Sequence, residues 1–250
     1  AHWGAPAKGY AGSSPDDQLR LQRMARWVLT NTNGIRNATP DSYRTGAGLL
    51  FLSLYRQTGG PNDVGAARTV DEGVESGVAA LQGSQSQGNC SQGGWNYGAP
   101  STDGDLSTTQ YAVAGLSAAS GVVAGAANTL PNVTAFLGGA TNGDGGLKYR
   151  GCRDYPSASA MTAAGLWSYR LAGTGVPDQR VQAAMGWLRD NYTYDRHIIA
   201  NWNQSYYYYL WAASKALEVS IAPEGAAAGV VYEDDIGGVR DPEADGFPQE

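Results

Sequence analysis

Histidine is nearly missing from this 250-residue chain: His2 and His197 are the whole supply, and neither stands at ligand spacing from the other or from a cysteine. A histidine-based metal centre is therefore not expected, and no metal or cofactor is assigned. Lysine is confined to Lys8, Lys148 and Lys215, and the net charge is -6 with an isoelectric point near 4.9. With no basic stripe, the long-range field repels a phosphate backbone, which excludes nucleic acid as a partner. Long apolar runs are also missing. The best stretches, 47 to 54 and 111 to 119, fall well short of the ~20 residues that a bilayer crossing needs, so no membrane span is expected. Nor is there a GxSxG elbow, a phosphate-binding glycine loop, an HExxH helix or a CxxCH haem signal, so hydrolase, nucleotide, metalloprotease and cytochrome chemistry lack a local warrant.

What is abundant is glycine, 35 residues, and aromatic residues that carry a polar atom: 15 Tyr and 7 Trp against 3 Phe. Such rings suit a wet surface or an interface, or equally the rim of a helical fold built from small residues. The most informative stretch is 87 to 118, QGNCSQGGWNYGAPSTDGDLSTTQYAVAGLSA. Gly93 and Gly94 permit a tight turn, Asp105 or Ser107 offers an oxygen to cap a helix beginning near Thr108, and the helix that follows is small or apolar on every face. A weaker copy, GDGGLKYRGCRDYPSASAMTAAGLWSYRLAG, runs from 143 to 173.

Around these two cassettes the chain reads as alternating amphipathic and buried helices. Residues 16 to 34 give an outer helix with Leu19, Met24, Trp27 and Val28 close to one face, and 42 to 58 give a buried one. Residues 62 to 82 carry Val70, Val74, Val78 and Leu81 at helical spacing. A short outer helix near 128 to 140 tolerates Pro131 only in its first turn, and its inner partner spans 158 to 172. A last pair starts at Pro177 and ends in NQSYYYYLWAASKALEVS, where Asn203 or Ser205 can cap. Four helix pairs result, over 16 to 220, flanked by an arm at 1 to 15 and an acidic, Pro- and Gly-containing arm at 221 to 250.

The run from Gln92 to Leu116, with glutamine, GGW, an aromatic, an acidic loop, then Ser/Thr and an inner helix, resembles the repeat of the terpenoid cyclase, squalene cyclase and protein prenyltransferase superfamily. The resemblance implies an all-α fold, an α/α toroid, here partial because four pairs are fewer than a full ring usually has. It says little about chemistry, since one fold serves many functions. The prenyltransferase branch holds zinc through Asp, Cys and His; Asp154 and Cys152 share a loop here, but in reversed order, and the last inner helix begins with Ser205-Tyr206-Tyr207 in place of histidine. The cyclase branch uses a DxDD acid cluster, of which Asp103 and Asp105 remain and the last acid is Leu106. Asp105 reads as a helix cap. The thioester branch needs Cys followed by Glu-Gln, which Cys90-Ser91-Gln92 does not supply.

Cys90 and Cys152 occupy matching places in the two cassettes, and in stacked repeats matching loops are neighbours, so a disulfide is expected; two separate buried thiols are the alternative. With the start at Ala1 lacking an initiator Met, this favours a secreted, extracellular or periplasmic protein. Sequons at Asn37, Asn89, Asn132, Asn191 and Asn203 are compatible with that setting. Trp95, Tyr97, Tyr149, Tyr155, Trp202, Tyr206 and Tyr207 all fall in loops or helix starts on one rim, where aromatic faces can stack on a sugar or a partner. The expectation is a module that binds a glycan or another extracellular protein, or self-associates into an oligomer or filament through its rim and arms. An enzyme with a site in the toroid mouth is the alternative; Asp103, Asp105, Asp154 and His197, the last with Tyr194 and Arg196, are its residues. Glu233-Asp234-Asp235 reads as a solvated charge run.

Overall fold

The computed structural model describes residues 9–39, 41–98, 100–191 and 206–220. Local chemistry sets where helices begin. Ser14 caps α1 (Pro15–Asn31), whose first turn holds Asp16 and Asp17, and a one-turn helix α2 (Asn33–Asn37) follows. Asp41 caps α3 (Ser42–Gln57). Thr69 and Glu72 form a reciprocal capping box on α4 (Val70–Ser84). Asp105 caps α5 (Leu106–Ala119). A short 3-10 turn containing Pro131 leads into α6 (Val133–Ala140), which is followed by α7 (Ser159–Leu171), α8 (Gln179–Asp190) and α9 (Tyr206–Glu218). The described residues are all-α, with only two isolated bridges, Asp105 with Arg150 and Thr141 with Leu147.

The helices sort into two sets. α3, α5, α7 and α9 pack in chain order, each on the next, while α4 lies against α3 and α5, α6 against α7 and α8 against α7. Small residues allow the closest of these seams: a Cβ added to Gly46 of α3 would sit 2.4 Å from the Tyr111 carbonyl of α5, and one added to Gly115 would sit 2.7 Å from the Gly46 oxygen. Leu49, Leu52, Ala112, Val113 and Leu116 fill the core around this contact, all without exposed surface. α4 buries Val70, Val74, Val78 and Leu81, the stripe expected from their spacing.

α1 departs from expectation. It turns Ala25 and Leu29 inward and half-buries Val28, leaving Leu19, Met24 and Trp27 at 47%, 52% and 63% exposure. The reason is the angular position of the small residue: Ala25 lets α1 lie close to the body, and the large side chains on other radii are then swung outward. Ahead of α1, Tyr10 of the expected arm packs edge-on against Tyr55 at 5.2 Å, and its amide donates to Thr58 Oγ1 at 2.9 Å. Residues 1–8 and 221–250 of the two arms, and the Asn203 or Ser205 cap, lie outside the described residues.

The two cassettes share a set of backbone features, although Asp105 caps its helix with a side chain and the matching Ala158 does not. Gly93 and Gly145 take positive φ of 86° and 87°. The amides that follow the double glycines donate into the inner helices, Trp95 to Thr109 Oγ1 at 3.0 Å and Leu147 to Thr162 Oγ1 at 2.9 Å. The carbonyls of the same residues accept from the caps, Asp105 N–H to Trp95 at 2.8 Å and Ala158 N–H to Leu147 at 3.0 Å. Each cassette also reaches back to the preceding inner helix, because Ser42 N–H of α3 donates to the Tyr97 carbonyl at 3.1 Å and Leu106 N–H of α5 to the Tyr149 carbonyl at 2.9 Å. Cys90 and Cys152, 62 residues apart, join the two loops as a disulfide with Cα atoms 5.1 Å apart.

Candidate functional site

The backward bonds place Tyr97 over the start of α3 and Tyr149 over the start of α5. Tyr97, half exposed, stacks on Tyr43 of α3 with centroids 5.9 Å apart and planes 11° apart. Tyr43 in turn meets Tyr111 of α5 at 4.5 Å, and Tyr111 stacks on Trp211 of α9 at 5.2 Å. Trp167 of α7 closes on Trp211 edge-on at 5.5 Å. Each of the four inner helices thus contributes a ring to one continuous aromatic cluster. On its rim Tyr149 meets Tyr155 edge-on at 6.4 Å and carries the Arg150 guanidinium 5.7 Å from its centroid.

Beneath these rings lies a band of buried polar groups. Asp105 has no exposed surface, and its Oδ1 accepts from Thr108 N–H at 2.9 Å and from the Ser107 hydroxyl. Ser107 Oγ lies 3.3 Å from the Tyr149 hydroxyl. Gln110, also wholly buried, donates through Nε2 to the Ser107 carbonyl at 3.3 Å and to the Tyr208 hydroxyl. Asp105 Oδ2 and Gln110 Oε1 have no hydrogen-bond partner among the described residues. A buried acceptor left in that state costs ~1–3 kcal/mol, and Asp103 Oδ1, Thr45 Oγ1 and Ser53 Oγ are in the same state elsewhere.

The phenols around them resist ionisation. Burial pushes Tyr111 up, with Tyr43 adding to the effect. Burial also raises Tyr149; the bond to Ser107 opposes this, and the Asp105 carboxylate and Tyr97 reinforce it. Tyr208 is raised by burial and then by Tyr43, Tyr111, Asp105 and Tyr149. All three are pushed above the ordinary tyrosine range and are neutral O–H groups at physiological pH.

Of the residues singled out from the sequence, Tyr97, Tyr149 and Tyr155 meet on this rim, with Tyr155 38% exposed. Tyr206, half-buried at the first turn of α9, packs on Tyr207 at 5.7 Å. Trp95 does not belong to the rim: it is wholly buried, and its indole N–H donates to the Leu81 carbonyl at 2.8 Å. The turn at Gly93 directs it into the seam between α4 and α5, and the position two residues on carries the exposed ring. Asp103 and Asp105 face different surroundings. Asp103 Oδ2 takes Arg150 Nη1 at 2.6 Å and Arg153 Nε at 2.7 Å, tying the first cassette to the second beside the disulfide. Burial works to raise the Asp103 carboxyl, but the bonds and charges of Arg150 and Arg153 outweigh it and hold it below the usual range. Asp154 is exposed in the loop after Cys152, and the Cys152 sulfur is committed to the disulfide, so this pair cannot supply a thiolate and a carboxylate to one zinc ion. Trp202, His197, Tyr194 and Arg196 lie outside the described residues.

Sequence reasoning missed Tyr43, Gln110, Tyr111, Tyr208 and Trp211. Tyr111 and Trp211 are the sixth residues of α5 and α9, so aligning the inner helices at their starts would have exposed the pairing. No protein-family model, curated protein or solved structure matches this chain.

Proposed function

We propose that the chain is a secreted binding module, built as a partial α/α toroid of the terpenoid cyclase and prenyltransferase kind, that takes a glycan at its aromatic rim. The observation that carries this reading is the half-exposed ring of Tyr97, stacked on Tyr43 at the edge of an aromatic cluster to which α3, α5, α7 and α9 each contribute. Sugar rings stack their C–H faces on aromatic rings, while their hydroxyls give donors to acceptors and accept from phenols. The disulfide supports an oxidising compartment, and no helix among the described residues is long and apolar enough to cross a membrane. Self-association through the arms is the other partner class in keeping with the sequence.

Titration calorimetry of the full chain against a panel of extracellular oligosaccharides tests the reading. One panel member binds, and Tyr97→Ala weakens it at least tenfold without lowering the melting temperature. Absence of binding across the panel, or affinity indifferent to Tyr97, sinks it. A second reading, an enzyme working at the same mouth, is favoured by one observation: Asp105 is a wholly buried carboxylate next to the Tyr149 hydroxyl. Turnover of a bound saccharide that Asp105→Asn abolishes would select it.

A further inference from the structure

No residue on the exposed side of α1 belongs to the aromatic cluster described above. Leu19, Arg23 and Trp27 follow one another at i, i+4 and i+8, and Arg20, Met24 and Trp27 at i, i+4 and i+7, so two adjoining stripes mix cations with apolar groups, Arg20 being paired with Asp17 Oδ1 at 2.9 Å. The three apolar members are 47%, 52% and 63% exposed, and Arg26 adds a third cation beside the stripes. An apolar surface of this kind, ribbed with arginine, calls for a partner that brings apolar side chains and carboxylates together.

The chain carries such a segment. Residues 221–250 hold eight acids, Glu224, Glu233, Asp234, Asp235, Asp241, Glu243, Asp245 and Glu250, against Arg240 alone. Their net charge is therefore -7, and with -6 for the whole chain the remaining 220 residues stand at +1. Within that segment Val230-Val231-Tyr232 runs directly into Glu233-Asp234-Asp235 and then Ile236, apolar and acidic groups side by side, opposite in sign to those of α1.

We propose that the C-terminal segment of the same molecule docks on this face of α1, with residues 230–236 against Leu19, Met24 and Trp27 and the acids on Arg20 and Arg23. The linker is long on the scale of the body: the ten residues from Ser220 to Val230 span about 34 Å when extended, twice the radius of gyration of about 17 Å expected for a body of this size. Tethering favours the same molecule over a second copy, because a linker of this length holds its end at an effective concentration on the order of millimolar. The docked segment straps the last repeat to the first.

Hydrogen–deuterium exchange of the full chain, with its mass followed by light scattering, tests the strap. In monomeric wild type, peptides covering 230–236 exchange at least tenfold more slowly than an unstructured chain. Arg20→Glu with Arg23→Glu removes that protection, as does Trp27→Ala, while melting of the body is unchanged. Adding Asp234→Lys and Asp235→Lys to the arginine variant restores it within one chain. Free exchange in wild type, protection indifferent to the α1 substitutions, or failure of the lysine swap would each overturn the proposal. So would protection that appears only as mass rises with concentration, since the partner would then be a second copy.

Discussion

A Cβ built on Gly46 lies 2.4 Å from the backbone carbonyl of Tyr111, so α3 and α5 meet main chain to main chain. No rotamer can relieve a clash with backbone. Gly46→Ala is expected to lower stability by ~1–3 kcal/mol, as overpacking does, and to loosen the Tyr43–Tyr111 contact next to it. Gly83→Ala, where an added Cβ meets nothing within 4 Å, is the control and is expected to be neutral or to stabilise by up to ~1 kcal/mol. Urea denaturation of both variants measures the contrast.

The Cys90–Cys152 bond closes a loop of 62 residues, and chain entropy assigns such a loop roughly 4 kcal/mol of stabilisation. Non-reducing peptide mapping is expected to recover the two cysteines in one linked pair. Cys90→Ser with Cys152→Ser is expected to melt well below wild type, and a reductant is expected to lower the melting point of wild type but not of the double variant.

Asp105 performs two tasks that substitution separates. Its Oδ1 caps α5, so Asp105→Ala is expected to cost ~1–2 kcal/mol, whereas asparagine retains a capping oxygen and costs less. Asparagine also removes the charge that helps hold the Tyr149 hydroxyl protonated. A spectrophotometric titration of Asp105→Asn is expected to show a tyrosine moving to lower pH; an unchanged curve would mean that the carboxylate does not act on Tyr149.

Acidification reads the Asp103 cluster. The carboxyl is lowered from 3.8 in the folded state, so its contribution is fully present above the unfolded value and is lost as pH falls through the folded one. Asp103→Asn is therefore expected to be less stable than wild type by a constant margin above about pH 5, with the margin closing below about pH 4. Salt is expected to shrink the margin only partly, because Asp103 and Arg150 are 20% and 27% exposed while Arg153, at 59%, is open to solvent.

The helices were legible because their signals are local. The α5 cap, expected from Asp105 or Ser107, and the valine stripe of α4 each act within a turn or two, whereas the equally local Thr69–Glu72 box was overlooked. Which ring of the GGW-N-Y unit faces outward was not legible. Trp95 and Tyr97 are two residues apart, and the choice depends on the turn at Gly93, on α4 across the seam and on Thr109 in the next helix. α1 failed for a related reason: helical spacing gives which residues share a face, but not which face meets the body. Tyr43, Tyr111 and Trp211 come from three separate repeats and meet only once the inner helices have packed. Gln110 was passed over as one polar residue in an apolar helix, and its bond to Tyr208 spans 98 positions.

The bonds from Ser42 N–H to the Tyr97 carbonyl and from Leu106 N–H to the Tyr149 carbonyl run in one direction along the chain. α3 and α5 each have their first amide finished by the unit that follows, so each of these two units is a socket closed by its successor. Losing a unit from the front leaves a spare carbonyl, which water or a second donor readily serves. Losing one from the rear strands a helix-terminal N–H, the group that folded chains least tolerate without a partner. For α3 and α5, losing the unit that follows is therefore expected to cost more than losing the unit that precedes.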